Sequence, residues 1–240
     1  PYGEPKYVDA IWKNLVDLKA DGSFRLNMEY FGYLDGLTMT NDKFAELFGG
    51  PARKAEAELT QREMDLASSI QVVTEEIVLQ MARHLRQATG EKHLCMAGGV
   101  ALNCVANGRL LREGIFEDVW IQPAAGDAGG ALGAALMTWH QIQGNPRAAD
   151  GKHDAMQGAY LGPEFDDERV EAFLKAKGYP ARKLSEAEWA PTIADVMASE
   201  NVVGLLQGRM EFGPRALGGR SIVGDARSPK MQSIMNLKIK

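Results

Sequence analysis

Arg209, Arg215, Arg220 and Arg227 follow one another at intervals of six, five and seven residues, in a stretch punctuated by Gly208, Gly213, Pro214, Gly218 and Gly219. Such intervals share no helical face, and Pro214 with the glycines excludes a regular helix through most of the segment. The guanidinium groups can converge only through loop and strand geometry. Arginine offers a planar, permanently charged fork that matches phosphate oxygens, so the segment suits a polyphosphate or acyl-phosphate ligand. A solvated basic surface is the other reading, and the density of glycine between the arginines weighs against it. Arg209, Arg215 and Arg220 are the candidate catalytic residues.

Two further constellations stand at strand-to-helix turns. Gly98 and Gly99, followed by Asn103, let the backbone approach a ligand closely, and their N–H groups with the helix start suit phosphate or sugar oxygens. The alternative is a tight turn with Asn103 as a helix cap. In Gly126-Asp127-Ala128-Gly129-Gly130, Asp127 reads either as an N-cap or as a hard oxygen ligand for a metal, with Gly126 and Gly129 making room for a bulky ligand. One carboxylate cannot hold a catalytic metal, and His84, His93, His140 and His153 lack ligand spacing.

These motifs are positioned by an alternation of elements. A short helix is expected near Val8 to Lys19, then irregular structure. Thr60 and Glu63 form a capping box ahead of Leu66, Ile70, Val73, Ile77, Met81 and Leu85, which recur at helical spacing until Gly90. Apolar runs His93 to Ala97 and Val119 to Gln122 read as strands, each leading through a glycine loop into a helix, Asn103 to Arg112 and Ala128 to Ile142. That rhythm predicts an α/β layer with a largely parallel sheet, whose ligands sit where strands end and helices begin. Residues 146–160 read as a linker. Beyond it come helices Asp166 to Lys177 and, after the capping box of Ser185 and Glu188, to about Glu200, then a strand Val202 to Leu206.

Composition sets the class. With 240 residues, 45% hydrophobic and 25% charged, the chain has the makeup of a globular protein of one or two domains, and no apolar run approaches a membrane span. The net charge of −5 argues against nucleic acid as a partner. From Val203 onward, however, seven Lys or Arg face only Glu211 and Asp225, so this end is built for anions. Cys95 and Cys104 read as ordinary buried thiols of a reducing, cytoplasmic compartment.

Ala97-Gly98-Gly99-Val100-Ala101-Leu102-Asn103-Cys104, the run Pro123 to Ala135 and the run Gly208 to Gly218, together with Tyr2-Gly3-Glu4-Pro5, closely resemble the O-carbamoyltransferases of the NodU, CmcH and TobZ type. The resemblance spans nearly the whole chain. It implies an actin-like ATPase/sugar-kinase lobe over residues 1–145, a linker at 146–160 and the start of a YrdC-like domain over 161–240. It further implies ATP and carbamoyl phosphate as ligands, a carbamoyl-adenylate intermediate, and a small hydroxylated acceptor such as a sugar or antibiotic precursor. Gly98, Gly99 and Asn103 would hold the adenylate, the arginine loop would neutralise the phosphates, and Asp127 matches the family's ligand for a divalent ion, iron or manganese. The family's histidine ligands lie upstream of anything present, so the chain reads as a fragment expected to catalyse little alone. Gly219 stands where relatives usually carry Asn. An actin-like sugar-kinase fragment and a non-catalytic nucleotide-binding module are the competing readings. The acceptor itself is not readable; Trp12, Tyr30, Phe31, Tyr33 and Trp139 are candidates for a sugar site or for the core.

Overall fold

A computed structural model describes residues 2–54 and 57–239 and shows a mixed α/β chain. It divides into two compact units, Pro1–Ile121 and Gln122–Lys240, so residues 146–160 fall inside the second. Three two-stranded sheets replace the single parallel layer expected from the sequence. Among the described residues no helix is long and apolar enough to cross a membrane.

In the first unit, α1 (Val8–Asn14) ends earlier than expected because the chain passes into a hairpin, β1 (Val16–Leu18) and β2 (Phe24–Leu26). Asp21 closes that turn by accepting from the Ser23 amide at 2.9 Å. After α2 (Asp42–Leu47), the capping box of Thr60 and Glu63 starts α3 (Gln61–Thr89), and Gly90 at φ +71° ends it. β3 (His93–Met96) and β4 (Asp118–Ile121) run parallel, His93 opposite Asp118, with α4 (Cys104–Arg112) crossing between them.

Helix α3 serves two cores. Val73 joins Ile11, Leu15, Val16 and Phe48, with Trp12, Tyr30 and Phe31 packed against them. Leu79 and Ala82 join Leu110 and Phe116, with Leu94 and Met96 alongside. Ile70, Met81 and Leu85, members of the apolar stripe read from the sequence, are exposed and line an open apolar groove of about 710 Å³ together with Phe24, Leu26 and Val100. The cysteines differ from expectation as well: both are exposed. Side chains alternate along a strand, so Leu94 and Met96 facing the core turn Cys95 outward, while α4 buries Ala106, Asn107 and Leu110 rather than Cys104.

The N-terminal segment is stapled to α3. The Asp65 carboxylate, 4% exposed, accepts from the Glu4 amide (2.8 Å), Gln61 Nε2 (2.8 Å) and Lys6 Nζ (3.0 Å). Ser69 Oγ accepts from the Tyr7 amide at 3.0 Å and donates to the Asp65 carbonyl at 2.6 Å. The Glu4 amide, then Gln61 and Lys6, hold the Asp65 carboxyl below its ordinary range against the opposing effect of burial.

The second unit opens with α5 (Asp127–Met137), which runs into a wider turn over Thr138–Ile142. Asp166 caps α6 (Asp167–Lys177), and Ser185 with Glu188 caps α7 (Glu186–Ala198). β5 (Val203–Leu206) and β6 (Arg220–Val223) form an antiparallel hairpin with Leu206 opposite Arg220, followed by α8 (Met231–Ile239). The antiparallel pairing follows from a loop, residues 207–219, that returns the chain directly instead of through a crossover helix.

Leu79 has no exposed surface, and its replacement in Leu79→Ala should cost about 2–5 kcal/mol in urea unfolding of the chain; a cost below about 1 kcal/mol would show that α3 does not depend on its second core. A depressed carboxyl pKa contributes stability that is complete above the unfolded value and is lost as pH falls through the folded one. Asp65 should therefore add to an acid-side fall in stability below about pH 4. Asp65→Asn should be less stable than the parent at pH 7 and lose less between pH 5 and 3, read from urea midpoints; parallel curves would exclude the staple as a source of acid sensitivity.

Candidate anion-binding loop and glycine turns

The hairpin loop that carries the arginines is fixed from three sides. Its outer strand-like part pairs with the 159–163 segment: the Met210 amide donates to the Pro163 carbonyl (3.1 Å), the Gly162 amide to Met210 (2.9 Å) and the Phe212 amide to Ala159 (2.6 Å). Gly213, at φ +142°, sits so close to Pro123 that a Cβ would lie 2.6 Å from its carbonyl oxygen, which only glycine permits. Tyr160 Oη donates to the Leu217 carbonyl at 2.6 Å, and Gln207 Nε2 donates to the Gly218 carbonyl at 3.0 Å.

Inside the loop lies Glu211, its side chain 1% exposed. Its Oε1 accepts from the amides of Leu217 (2.6 Å) and Gly219 (2.7 Å), and its Oε2 from the amide of Arg220 (3.1 Å). Burial pushes the Glu211 carboxyl up, but these backbone donors outweigh it and the group lies below its ordinary range. The Arg220 guanidinium turns inward: Nη1 donates to the Glu211 carbonyl at 3.0 Å, Nη2 to the Gly213 carbonyl, and Nε stands 3.9 Å from the Glu211 carboxylate.

The four arginines therefore differ in use. Arg209 donates to the Gly162 carbonyl at 3.0 Å and pairs with Glu164 at 3.5 Å. Arg227 pairs with Asp225 at 2.7 Å, which pulls that carboxyl down to about 2. Arg220 is committed to the loop. Arg215 is exposed and meets no hydrogen-bond or ion-pair partner among the described residues. The sequence shows Glu211 as a charge among the arginines but not its role in the loop base, and it gives Tyr160 no role.

The loop brings the second constellation near. Gly213 abuts Pro123 and Ala124, and Ala124 and Ala125 are buried just before Gly126-Asp127. Gly126, not Asp127, occupies the N-cap position of α5; Asp127 is its first helical residue, exposed and without a hydrogen bond among the described residues. A Cβ at Gly129 would collide with the Ala124 carbonyl, so that glycine is set by packing of the turn on its own helix. No group of three or more His, Cys, Asp or Glu suited to a metal ion occurs among the described residues. Among the described residues Asp127 therefore belongs to no ready-made metal centre, which takes three or four protein ligands.

In the first unit, Gly98 at φ +97° and Gly99 follow β3, and a Cβ at either would meet nothing within 4 Å. Asn103 caps α4, Oδ1 accepting from the Ala106 amide at 3.1 Å, and its amide pairs in both directions with Gln71 (2.9 and 3.2 Å). The cap reading of Asn103 is thus realised. Asn107 donates to the Ala101 carbonyl at 2.7 Å, and its buried Oδ1 has no partner. Of the aromatics, Tyr33 and Trp139 are 40% and 54% exposed, whereas Trp12, Tyr30 and Phe31 pack against the first core.

The sequence matches a family model described as Carbamoyltransferase N-terminus over residues 1–136 and one described as Carbamoyltransferase C-terminus over residues 194–240. It is 62% identical to the uncharacterized protein sll1178 of Synechocystis, covering all of this chain and 39% of that protein. It is 38% identical to the nodulation protein NolO of Bradyrhizobium diazoefficiens (all of this chain, 41% of the relative) and 39% identical to NolNO of Sinorhizobium fredii (all of this chain, 33% of the relative). The chain spans about two-fifths of the length of the first two relatives. On these matches, and with the three motifs placed as described, the chain belongs to the carbamoyltransferase family.

Proposed function

We propose that this chain is part of an O-carbamoyltransferase in which the 207–219 loop binds the phosphate of carbamoyl phosphate through Arg215. The observation that carries the reading is an unpaired, exposed guanidinium on a loop whose other charges are already satisfied internally. An exposed guanidinium with no protein partner keeps all its N–H donors for a phosphoryl group, and its planar fork matches two phosphate oxygens. Arg209 and Arg220 add positive potential around it while their hydrogen bonds go to the protein.

In the reaction we infer, water takes up the phosphoryl group of carbamoyl phosphate, releasing inorganic phosphate and carbamate; a carbamate oxygen attacks the α-phosphorus of ATP and pyrophosphate leaves; an acceptor hydroxyl then attacks the carbamoyl carbon, gives up its proton to solvent, and AMP departs. Family membership and the likeness to nodulation proteins support a hydroxylated small-molecule acceptor such as a sugar. In this reading residues 1–145 belong to an actin-like lobe and residues 161–240 to a YrdC-like domain, with 146–160 linking them. The open space at Gly98 and Gly99 supports close approach of a nucleotide there, next to the capped start of α4. Gly126 and Gly129 shape the turn that presents Asp127, which we propose as one oxygen donor to a divalent ion completed by donors beyond these residues. No step is derived through that ion.

Calorimetric titration of carbamoyl phosphate into the 240-residue chain tests the reading. Binding should weaken as salt rises, and Arg215→Ala should bind about tenfold or more weakly, as expected for loss of a charged hydrogen-bonding fork. ATP binding with no response to carbamoyl phosphate would favour a non-catalytic nucleotide-binding module instead.

A further inference from the structure

The conformation of the arginine loop is built round one carboxylate. Between Glu211 and the amides of Leu217, Gly219 and Arg220, the chain runs outward through Gly213, Pro214, Arg215 and Ala216 and returns. Glu211 therefore closes the base of a bulge that has Arg215 on it. Pro214 has a fixed φ and Gly213 is pinned against Pro123, so once the base is closed the backbone that carries Arg215 is confined. Gly219 is buried, and a Cβ there would come 2.5 Å from the Arg209 carbonyl oxygen and 3.2 Å from Glu211 Oε2.

The charges point the same way. A buried carboxylate needs compensation, and this one has three backbone donors and the inward Arg220. Arg220 is consumed by that compensation and by the Glu211 and Gly213 carbonyls. Among the described residues, Arg215 is then the arginine of the loop whose guanidinium makes no hydrogen bond or ion pair to the protein.

We infer that Glu211 is a positioning residue for anion binding: it sets the place and direction of the Arg215 guanidinium, and Arg220 acts as its partner in the loop base and not as a second contact to the anion. The inference rests on the proposed binding of carbamoyl phosphate at Arg215 and names the residue on which that binding depends.

A double-mutant cycle read by calorimetry separates this role from a merely structural one. The probes are carbamoyl phosphate and inorganic phosphate, and the proteins are the parent chain, Glu211→Gln, Arg215→Ala and the double variant, each checked for parent-like circular dichroism. Gln keeps the shape but presents an amide group where two carboxylate oxygens accept. The expected result is an affinity for both probes about fivefold or more below the parent in Glu211→Gln, and no further loss when that change is added to Arg215→Ala. A merely structural role would lower the urea midpoint without this non-additivity. Parent affinity in Glu211→Gln, or losses that multiply in the double variant, would overturn the inference while leaving Arg215 as the phosphate contact. Failure of the parent chain to bind either probe would overturn both readings. Where Glu211→Gln does not fold, Glu211→Asp takes its place: the shorter side chain keeps the charge but cannot reach all three amides, weaker binding is expected, and unchanged affinity overturns the inference.

Discussion

Glu211 is a negative charge taken almost wholly out of water, and a charge so placed persists only if the surrounding dipoles replace the lost hydration. The amides of Leu217, Gly219 and Arg220 supply that replacement. They can do so only in one loop conformation, so the electrostatic requirement of a single carboxylate becomes a conformational requirement on the whole segment from Phe212 to Arg220. The surrounding structure conforms to it. Gly213 and Gly219 lack side chains where the loop is tightest, Tyr160 and Gln207 secure the returning strand, and the 159–163 segment pairs with the outgoing one. Arg215 is left over, its guanidinium without a hydrogen bond among the described residues.

The first unit is organised on another principle. Helix α3 is long enough to take part in two cores, and the helix is held at its start by Asp65 and Ser69, which bind the amides of Glu4 and Tyr7. Gly3 passes so near the Met64 carbonyl that any side chain would collide with it. This explains a physical need for glycine in the Tyr2-Gly3-Glu4-Pro5 segment that the sequence alone left as a family likeness. The glycine turn after β3 is different in kind: Gly98 and Gly99 face open space, and neither is demanded by packing in this chain, although the φ of Gly98 favours glycine.

Local signals were the legible ones. Both capping boxes form as read, because a hydroxyl and a carboxylate three residues apart satisfy each other's neighbouring amides whatever lies around them. The strands flanking the glycine turns are where the apolar runs placed them. What could not be read depended on partners distant in sequence. The hairpin β1–β2 cut short a helix expected to reach Lys19, and the sheet face on which Cys95 falls was decided by the packing of Leu94 and Met96. The apolar stripe of α3 was visible, but which of its members would be covered was not. In the candidate site, the arginines were found by type and spacing, while their division of labour depended on the fold: Arg209 meets a carbonyl from Gly162, Arg220 meets those of Glu211 and Gly213, and Asn103 is taken by Gln71.

Membership of the carbamoyltransferase family gives the loop a chemical context, and the loop gives the family resemblance a physical content: a rigid cationic fork on a base closed by its own buried anion. The most direct measurement is a crystal structure of the chain grown with carbamoyl phosphate. The account predicts the phosphate oxygens on the Arg215 guanidinium, with Glu211 still holding the three amides and Arg220 still turned inward. A phosphate seated on the amides of Leu217, Gly219 and Arg220 with Glu211 displaced, or one bound away from the loop altogether, would contradict it.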